Sequence, residues 1–169
     1  SLSTSAGIMI TASHNPSNYN GYKCYGPDGC QMTEKSANKV YELIEKVDMF
    51  NVKTADFNEA VNEGKIVFIE DNLKKKYLDA VEAQSINKNI CRDSGLRVVY
   101  TPLNGAGNKF VREIFNRIGV DDVHVVKEQE NPDGNFPTCK YPNPEAREAL
   151  SLAVKLAEKV DADLVVATD

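Results

Sequence analysis

Tryptophan is absent from this chain of 169 residues, histidine occurs only twice, and no apolar run approaches the ~20 residues a helix needs to cross a bilayer. The missing apolar run argues against a helical membrane protein. With no signal-peptide pattern at the start, the chain reads as soluble and cytoplasmic. A basic excess is missing too: 20 Lys and Arg stand against 25 Asp and Glu, giving a net charge of -5 and a pI near 5.1. That balance offers no cationic field to a nucleic-acid backbone, so no nucleic-acid partner is expected. The four cysteines, Cys24, Cys30, Cys91 and Cys139, form no C-x-x-C pair and have no His at zinc spacing. A structural zinc is thereby disfavoured, and reduced thiols are favoured over disulfides. There is no internal repeat and no low-complexity tract. What is present, 41% hydrophobic and 27% charged residues, is the composition of one globular domain or two small ones. An initiating Met is also lacking, and the chain stops at Asp169 directly after a strand-like run. We read it as an excised piece of a longer polypeptide.

Periodicity predicts an α/β protein. Gly7-Ile8-Met9-Ile10-Thr11-Ala12 is a short apolar run ending in the turn formers Ser13-His14-Asn15-Pro16-Ser17-Asn18, which reads as a buried strand feeding an exposed loop. Tyr22 to Tyr25, the turn Gly26-Pro27-Asp28-Gly29 and Cys30 to Met32 read as a hairpin, with Lys23 and Tyr25 on one face. Thr33 can cap a core-facing helix running to about Phe50, carrying Ala37, Val40, Tyr41, Ile44 and Val47. Residues 65–70 read as a brief strand, and Asp71 caps a helix with the stripe Leu73, Tyr77, Leu78 and Val81. The polar stretch 85–94, closing on Gly95, marks the boundary expected between a segment 1–92 and a segment 93–169.

The second segment alternates regularly. A strand at 96–100 is followed by the turn Asn104-Gly105-Ala106-Gly107, a helix with Phe110, Val111, Ile114, Phe115 and Ile118, and a strand at 123–126. A proline-marked loop, 128–143, then leads into a helix from Asn143-Pro144 to Val160 and a last strand at 164–168. Such alternation predicts mixed or mainly parallel sheets covered by helices. In such sheets ligands gather at the carboxyl edge, where Thr101 to Asn104 and Asp169 would lie. Residues 1–92 carry 11 basic and 12 acidic side chains, against 9 and 13 in 93–169, so the first segment leaves its loop open to an anionic substrate.

That loop concentrates reactive groups. Ser13 offers a hydroxyl, His14 a group titrating near neutrality, Asn15 an amide and Lys23 a fixed cation ten residues on. Adjacent Ser and His point apart, and no orienting acid is evident for His14, so this is not a hydrolase dyad. The alternative is that Ser13 and Asn15 merely shape the turn before Pro16. Gly105 and Gly107 at a helix start leave a similar choice between an anion cradle and a tight turn, and their spacing is that of neither a P-loop nor a dinucleotide fingerprint.

Thr11-Ala12-Ser13-His14-Asn15-Pro16, followed by Tyr19-Asn20-Gly21-Tyr22-Lys23 and Tyr25-Gly26-Pro27-Asp28-Gly29, closely resembles the phosphoserine loop of the α-D-phosphohexomutases. Thr101 to Gly107, Asn131 to Pro137 and Val165 to Asp169 resemble the same family. In that family the last strand enters a D-x-D-x-D-R metal loop, whose first carboxylate Asp169 resembles. Residues 137–145 look more like the phosphoglucomutase or phosphopentomutase branch than the phosphomannomutase branch. The resemblance implies the later part of catalytic domain I in 1–92 and a βαβαβ domain II in 93–169.

It further implies that Ser13 carries a phosphoryl group, dividing one hard displacement into two easier ones. Mg²⁺, held by that phosphoserine and by an Asp-rich loop beginning at Asp169, would offset repulsion from an incoming sugar phosphate. Lys23 is implied as a proton shuttle or as a fixed charge on the transferring phosphoryl. His14 is implied as catalytic and phosphate-contacting, and Asn15 as a phosphate contact or a purely structural turn residue. The reaction implied is interconversion of glucose 1-phosphate and glucose 6-phosphate through glucose 1,6-bisphosphate, which also serves as activator. Phosphomannomutase, phosphopentomutase or phosphoglucosamine mutase chemistry, and a non-catalytic phosphate-binding or interaction module, stay open. The chain alone is expected to be inactive, and its exposed edges to favour homo-oligomers.

Overall fold

The computed structural model describes residues 2–169, which fall into two compact units. The first unit holds the residues up to Thr11 together with Asn20–Glu70, and the second holds Ala12–Tyr19 with Asp71–Asp169.

In the first unit β1 (Gly7–Ile10) runs antiparallel to β2 (Tyr22–Tyr25), with Met9 opposite Lys23. The hairpin expected with residues 30–32 is reduced to one bridge, Tyr25 to Gln31. Its turn is closed by the Gly26 N–H on the Cys30 carbonyl (3.0 Å) and the Cys30 N–H on Asp28 Oδ1 (3.0 Å). β1 is also not the buried strand its composition predicts, for Ile8 and Ile10 are 62% and 57% exposed. A lone two-stranded ribbon has little to cover its faces.

α1 (Glu34–Ile44) follows Thr33, which has the extended backbone of a cap but makes no capping bond through its side chain. The helix stops short of the expected Phe50 because residues 45–51 tighten into successive turns, one fixed by the Phe50 N–H on Asp48 Oδ1 at 3.0 Å. None of its side chains is fully buried. α2 (Phe57–Asn62) was not foreseen in the sequence; Asp56 caps it by accepting from the Glu59 N–H at 2.9 Å. The strand expected at 65–70 does not form. Instead the Lys65 and Ile66 N–H groups both fold back onto the Ala60 carbonyl, and Val67, Phe68 and Ile69 stay exposed.

The second unit is a three-stranded parallel sheet of order β4-β3-β5, made of β3 (Arg97–Thr101), β4 (Asp122–Val125) and β5 (Leu164–Ala167). β3 is central, and Val98, Val99, Tyr100 and Thr101 are fully buried, which is why its centre reads as an apolar run. On one face Val99, Val126 and Val165 pack against Ala153, Leu152 and Leu156 of α5 (Ser151–Val160). Tyr100 meets Phe115 of α4 (Asn108–Ile118) edge to face at 6.0 Å. α3 (Asp71–Glu82) joins this unit, not the first: Tyr77 meets Phe110 at 5.6 Å and Arg117 bonds Asp79 at 2.8 Å. The packing thus divides the chain before Asp71, whereas a boundary at 92/93 would part α3 from the helix it packs on. α5 begins at Ser151, later than Asn143-Pro144, because residues 143–149 close i to i+3 turns in place of helical bonds. No helix among the described residues is long and apolar enough to cross a membrane.

Candidate functional site

The loop Ala12–Tyr19 belongs to the second unit and is built from two turns. The Asn15 N–H bonds the Ala12 carbonyl at 3.1 Å, and the Tyr19 N–H bonds the Pro16 carbonyl at 2.9 Å. The first turn sets Ser13 and His14 at its tip, both exposed. Ser13 has φ +53°, a left-handed conformation costing an L-residue roughly 1–2 kcal/mol. A strained non-glycine residue held at an exposed loop tip is the pattern of a functional constraint.

β5 brings Asp169 to the same place. Ser13 Oγ donates to Asp169 Oδ2 at 3.3 Å, His14 Nδ1 lies 3.5 Å from that oxygen, and Ser13 Oγ and His14 Nδ1 are 3.4 Å apart. Serine, imidazole and carboxylate thus form one triangle across 156 positions of sequence. The sequence shows no acid for His14; the fold supplies one. It does not make a relay, because serine and carboxylate address the same imidazole nitrogen, whereas a relay needs them on opposite ones. Side-chain exposures of 50% for His14 and 41% for Asp169 leave the triangle open to a solute.

The donor set suits a hard cation in part. Ser13 Oγ and Asp169 Oδ2 are close enough to share one ion, and oxygen donors are what Mg²⁺ takes. Among the described residues no group of three His, Cys, Asp or Glu converges, so further oxygens would have to come from a phosphoryl group, water or other residues.

The remaining candidates fall out differently. Asn15 supplies the turn-closing N–H and keeps an exposed side chain. Lys23 stands half-buried on β2 in the first unit, beside a hollow lined by Tyr22, Cys24, Ala37, Val40 and Tyr41. At the carboxyl edge of β3, Thr101 and Asn104 are buried and engaged internally. Thr101 Oγ1 donates to Gln129 Oε1 at 2.7 Å and Asn104 Nδ2 to the Asn131 carbonyl at 2.8 Å, so both hold the loop that follows β4. Gly105 makes a tight turn, its N–H on the Pro102 carbonyl at 2.8 Å. Two hydroxyls behind Asp169, those of Tyr100 and Thr168, are 2.8 Å apart; Thr168 lies in the segment Val165–Asp169 that resembles the family, but nothing in the sequence pairs it with Tyr100, which belongs to a run that reads as plain strand. Burial pushes the Tyr100 phenol above its ordinary range, with the Thr168 bond offsetting part of that, so it stays protonated near neutrality.

Comparison with known proteins adds independent findings. Residues 75–169 match the family profile described as phosphoglucomutase/phosphomannomutase, alpha/beta/alpha domain II, and residues 1–50 match the corresponding domain I. The chain is 37% identical over 169 residues to a phosphoglucomutase of Staphylococcus saprophyticus, covering 99% of this chain and 30% of that protein. It is 36% identical to a phosphoribomutase of Saccharomyces cerevisiae and 35% identical to a probable phosphomannomutase of Haemophilus influenzae, covering 29% and 33% of them. It therefore spans about a third of the length of these relatives. Its fold is that of a putative phosphomannomutase from Thermus thermophilus, with a TM-score of 0.70 at 24% identity over 99% of this chain and 35% of that one.

Proposed function

The chain belongs to the phosphoglucomutase/phosphomannomutase family, and from that premise we propose that it carries the phosphoryl-transfer serine of a cytoplasmic sugar-phosphate mutase. The observation that carries this reading is the approach of Ser13 Oγ to Asp169 Oδ2 at 3.3 Å, on a loop whose backbone is held in a strained conformation.

Ser13 Oγ accepts a phosphoryl group from a sugar bisphosphate and returns it to the free hydroxyl of the sugar monophosphate, so that one serine serves both positions as the sugar turns over. Asp169 accepts the Ser13 hydroxyl hydrogen bond in the unphosphorylated state and presents a carboxylate where the transferred group arrives. Bound by Asp169 and the phosphorylated Ser13, Mg²⁺ would supply the positive charge that offsets repulsion between two phosphates. His14, within reach of both groups, orients the hydroxyl and contacts phosphate; Asn15 closes the turn. Lys23 serves as proton shuttle for the sugar hydroxyl or as fixed charge on the moving phosphoryl.

Glucose 1-phosphate is the substrate we favour, with glucose 1,6-bisphosphate as activator and intermediate; the likeness of residues 137–145 to the phosphoglucomutase or phosphopentomutase branch speaks against mannose and leaves a pentose phosphate as the alternative. The relatives' names divide among glucose, mannose and ribose or pentose phosphates, so the complete protein carrying this sequence should be assayed on the 1-phosphates of all of them. Turnover that requires Mg²⁺ and vanishes in Ser13→Ala supports the mutase reading, and the preferred sugar settles the branch. Turnover retained by Ser13→Ala, or no turnover on any sugar phosphate, contradicts it.

A further inference from the structure

We propose that Tyr100 and Thr168 are positioning residues that hold Asp169 at the reactive serine, acting together with the Gly105–Gly107 turn; this rests on the mutase reading above. The Asp169 side chain is 41% exposed and held by long contacts to Ser13 and His14, so its carboxylate direction depends also on what fixes the backbone beneath it. Three contacts do so. The Thr168 N–H donates to the Thr101 carbonyl at 3.1 Å, closing the β3–β5 ladder at its last pair, Thr101 and Ala167. The hydroxyls of Tyr100 and Thr168 meet at 2.8 Å, and the Tyr100 side chain, fully buried and wedged against Phe115, cannot swing away. The glycine turn lies directly on the pair. A Cβ on Gly107 would stand 2.5 Å from Thr168 Oγ1 and 2.7 Å from the Tyr100 hydroxyl, and one on Gly105 would stand 3.0 Å from the Asp169 carbonyl carbon.

This arrangement explains two features of the sequence at once. Glycines sit at 105 and 107 because backbone, not side chain, must fill the space against Thr168 and Asp169. A tyrosine replaces an aliphatic residue in the otherwise Val-rich centre of β3 because its hydroxyl selects one rotamer of Thr168; without that partner, threonine's hydroxyl and methyl can exchange places. The packing of this turn against the last residues of β5 accounts for the glycines without an anion cradle.

The test uses the complete protein carrying this sequence, with Mn²⁺ as probe, titrated by electron spin resonance and checked by intact mass for phosphate. Tyr100→Phe and Thr168→Val should each raise half-saturating Mn²⁺ about tenfold, as loss of an orienting partner behind a ligand does. Thr168→Ser, which keeps the hydroxyl, should stay within about twofold, and KM for sugar phosphate should hold while kcat falls in the two damaged variants. If wild type is phosphorylated and binds Mn²⁺ but Tyr100→Phe and Thr168→Val bind it equally well, or if Thr168→Ser is as impaired as Thr168→Val, the positioning role is wrong and the mutase reading stands. If wild type takes neither phosphate nor Mn²⁺, the mutase reading fails and the positioning role with it.

Discussion

Replacing Ser13 by glycine and by alanine should separate the strain of its backbone from the chemistry of its hydroxyl. At φ +53° the residue bears a left-handed penalty of roughly 1–2 kcal/mol, which glycine does not. Glycine gives back about 0.5–1 kcal/mol through the greater freedom of the unfolded chain, so Ser13→Gly should be net stabilising by up to about 1 kcal/mol. In a protein of this size that is a rise in Tm of about 1–4 °C. Ser13→Ala keeps the penalty and loses long, exposed hydroxyl contacts, those to Asp169 at 3.3 Å and His14 at 3.4 Å among them, so its Tm should fall slightly or not at all. Both substitutions remove the phosphoryl acceptor, and turnover in the complete protein should drop by at least ~1,000-fold, about 4 kcal/mol in the barrier. Thermal melts are run on the 169-residue chain and turnover is measured in the complete protein. A Ser13→Gly protein clearly less stable than wild type would refute the strain argument, and a Ser13→Ala protein with more than about a tenth of wild-type turnover would refute the role of the hydroxyl.

Four further outcomes follow from the same structure. Val99→Ala, at the fully buried centre of β3, should cost about 2–3 kcal/mol in urea unfolding, and a change below 1 would mean the core collapses around the gap. Hydrogen bonding from Arg97 holds the Asp122 carboxyl below its ordinary pKa of 3.8, so its contribution to stability is full above that pH and is lost as pH falls through the lowered value. Asp122→Asn should therefore lessen acid sensitivity below about pH 4, and unfolding midpoints with the same pH profile as wild type would count against the pair. The 169-residue chain by itself, spanning about a third of the length of its relatives, should turn over no sugar phosphate; a rate like that of the complete protein would overturn this. Its exposed Ile8 and Ile10 on β1 should drive self-association, seen as a mass that rises with concentration in light scattering and is suppressed by Ile8→Lys with Ile10→Lys; a monomer throughout would contradict it.

The second unit was legible in the sequence because its elements are specified redundantly. β3 is apolar on both faces, Phe110, Val111, Ile114, Phe115 and Ile118 recur at helical spacing, and α4 ends on Gly119 in the left-handed conformation. The first unit was less legible. Val67-Phe68-Ile69 has strand composition but no strand beside it, and composition alone does not reveal a missing neighbour. α2 was missed although Asp56 and Glu59 have the spacing of a cap and its third residue, since six residues are too few to show a periodic face. In the site, the Ser13 loop was visible as local chemistry. Its meeting with Asp169 was implied by the family resemblance, which puts both at one metal, and not by local pattern, since 156 positions separate them; the direct contact to His14 and the Tyr100–Thr168 pair were hidden because tertiary contacts and buried hydroxyls leave no pattern.

The central claim is that Ser13 carries the phosphoryl group, and peptide mapping by mass spectrometry tests it most directly. The complete protein is incubated with glucose 1,6-bisphosphate, digested, and the peptide containing Ser13 is examined before and after addition of glucose 1-phosphate. The account predicts one phosphoryl group on Ser13, absent from Ser13→Ala and discharged by the monophosphate. Phosphate on another residue, or none at all in a protein that still interconverts sugar phosphates, would contradict it.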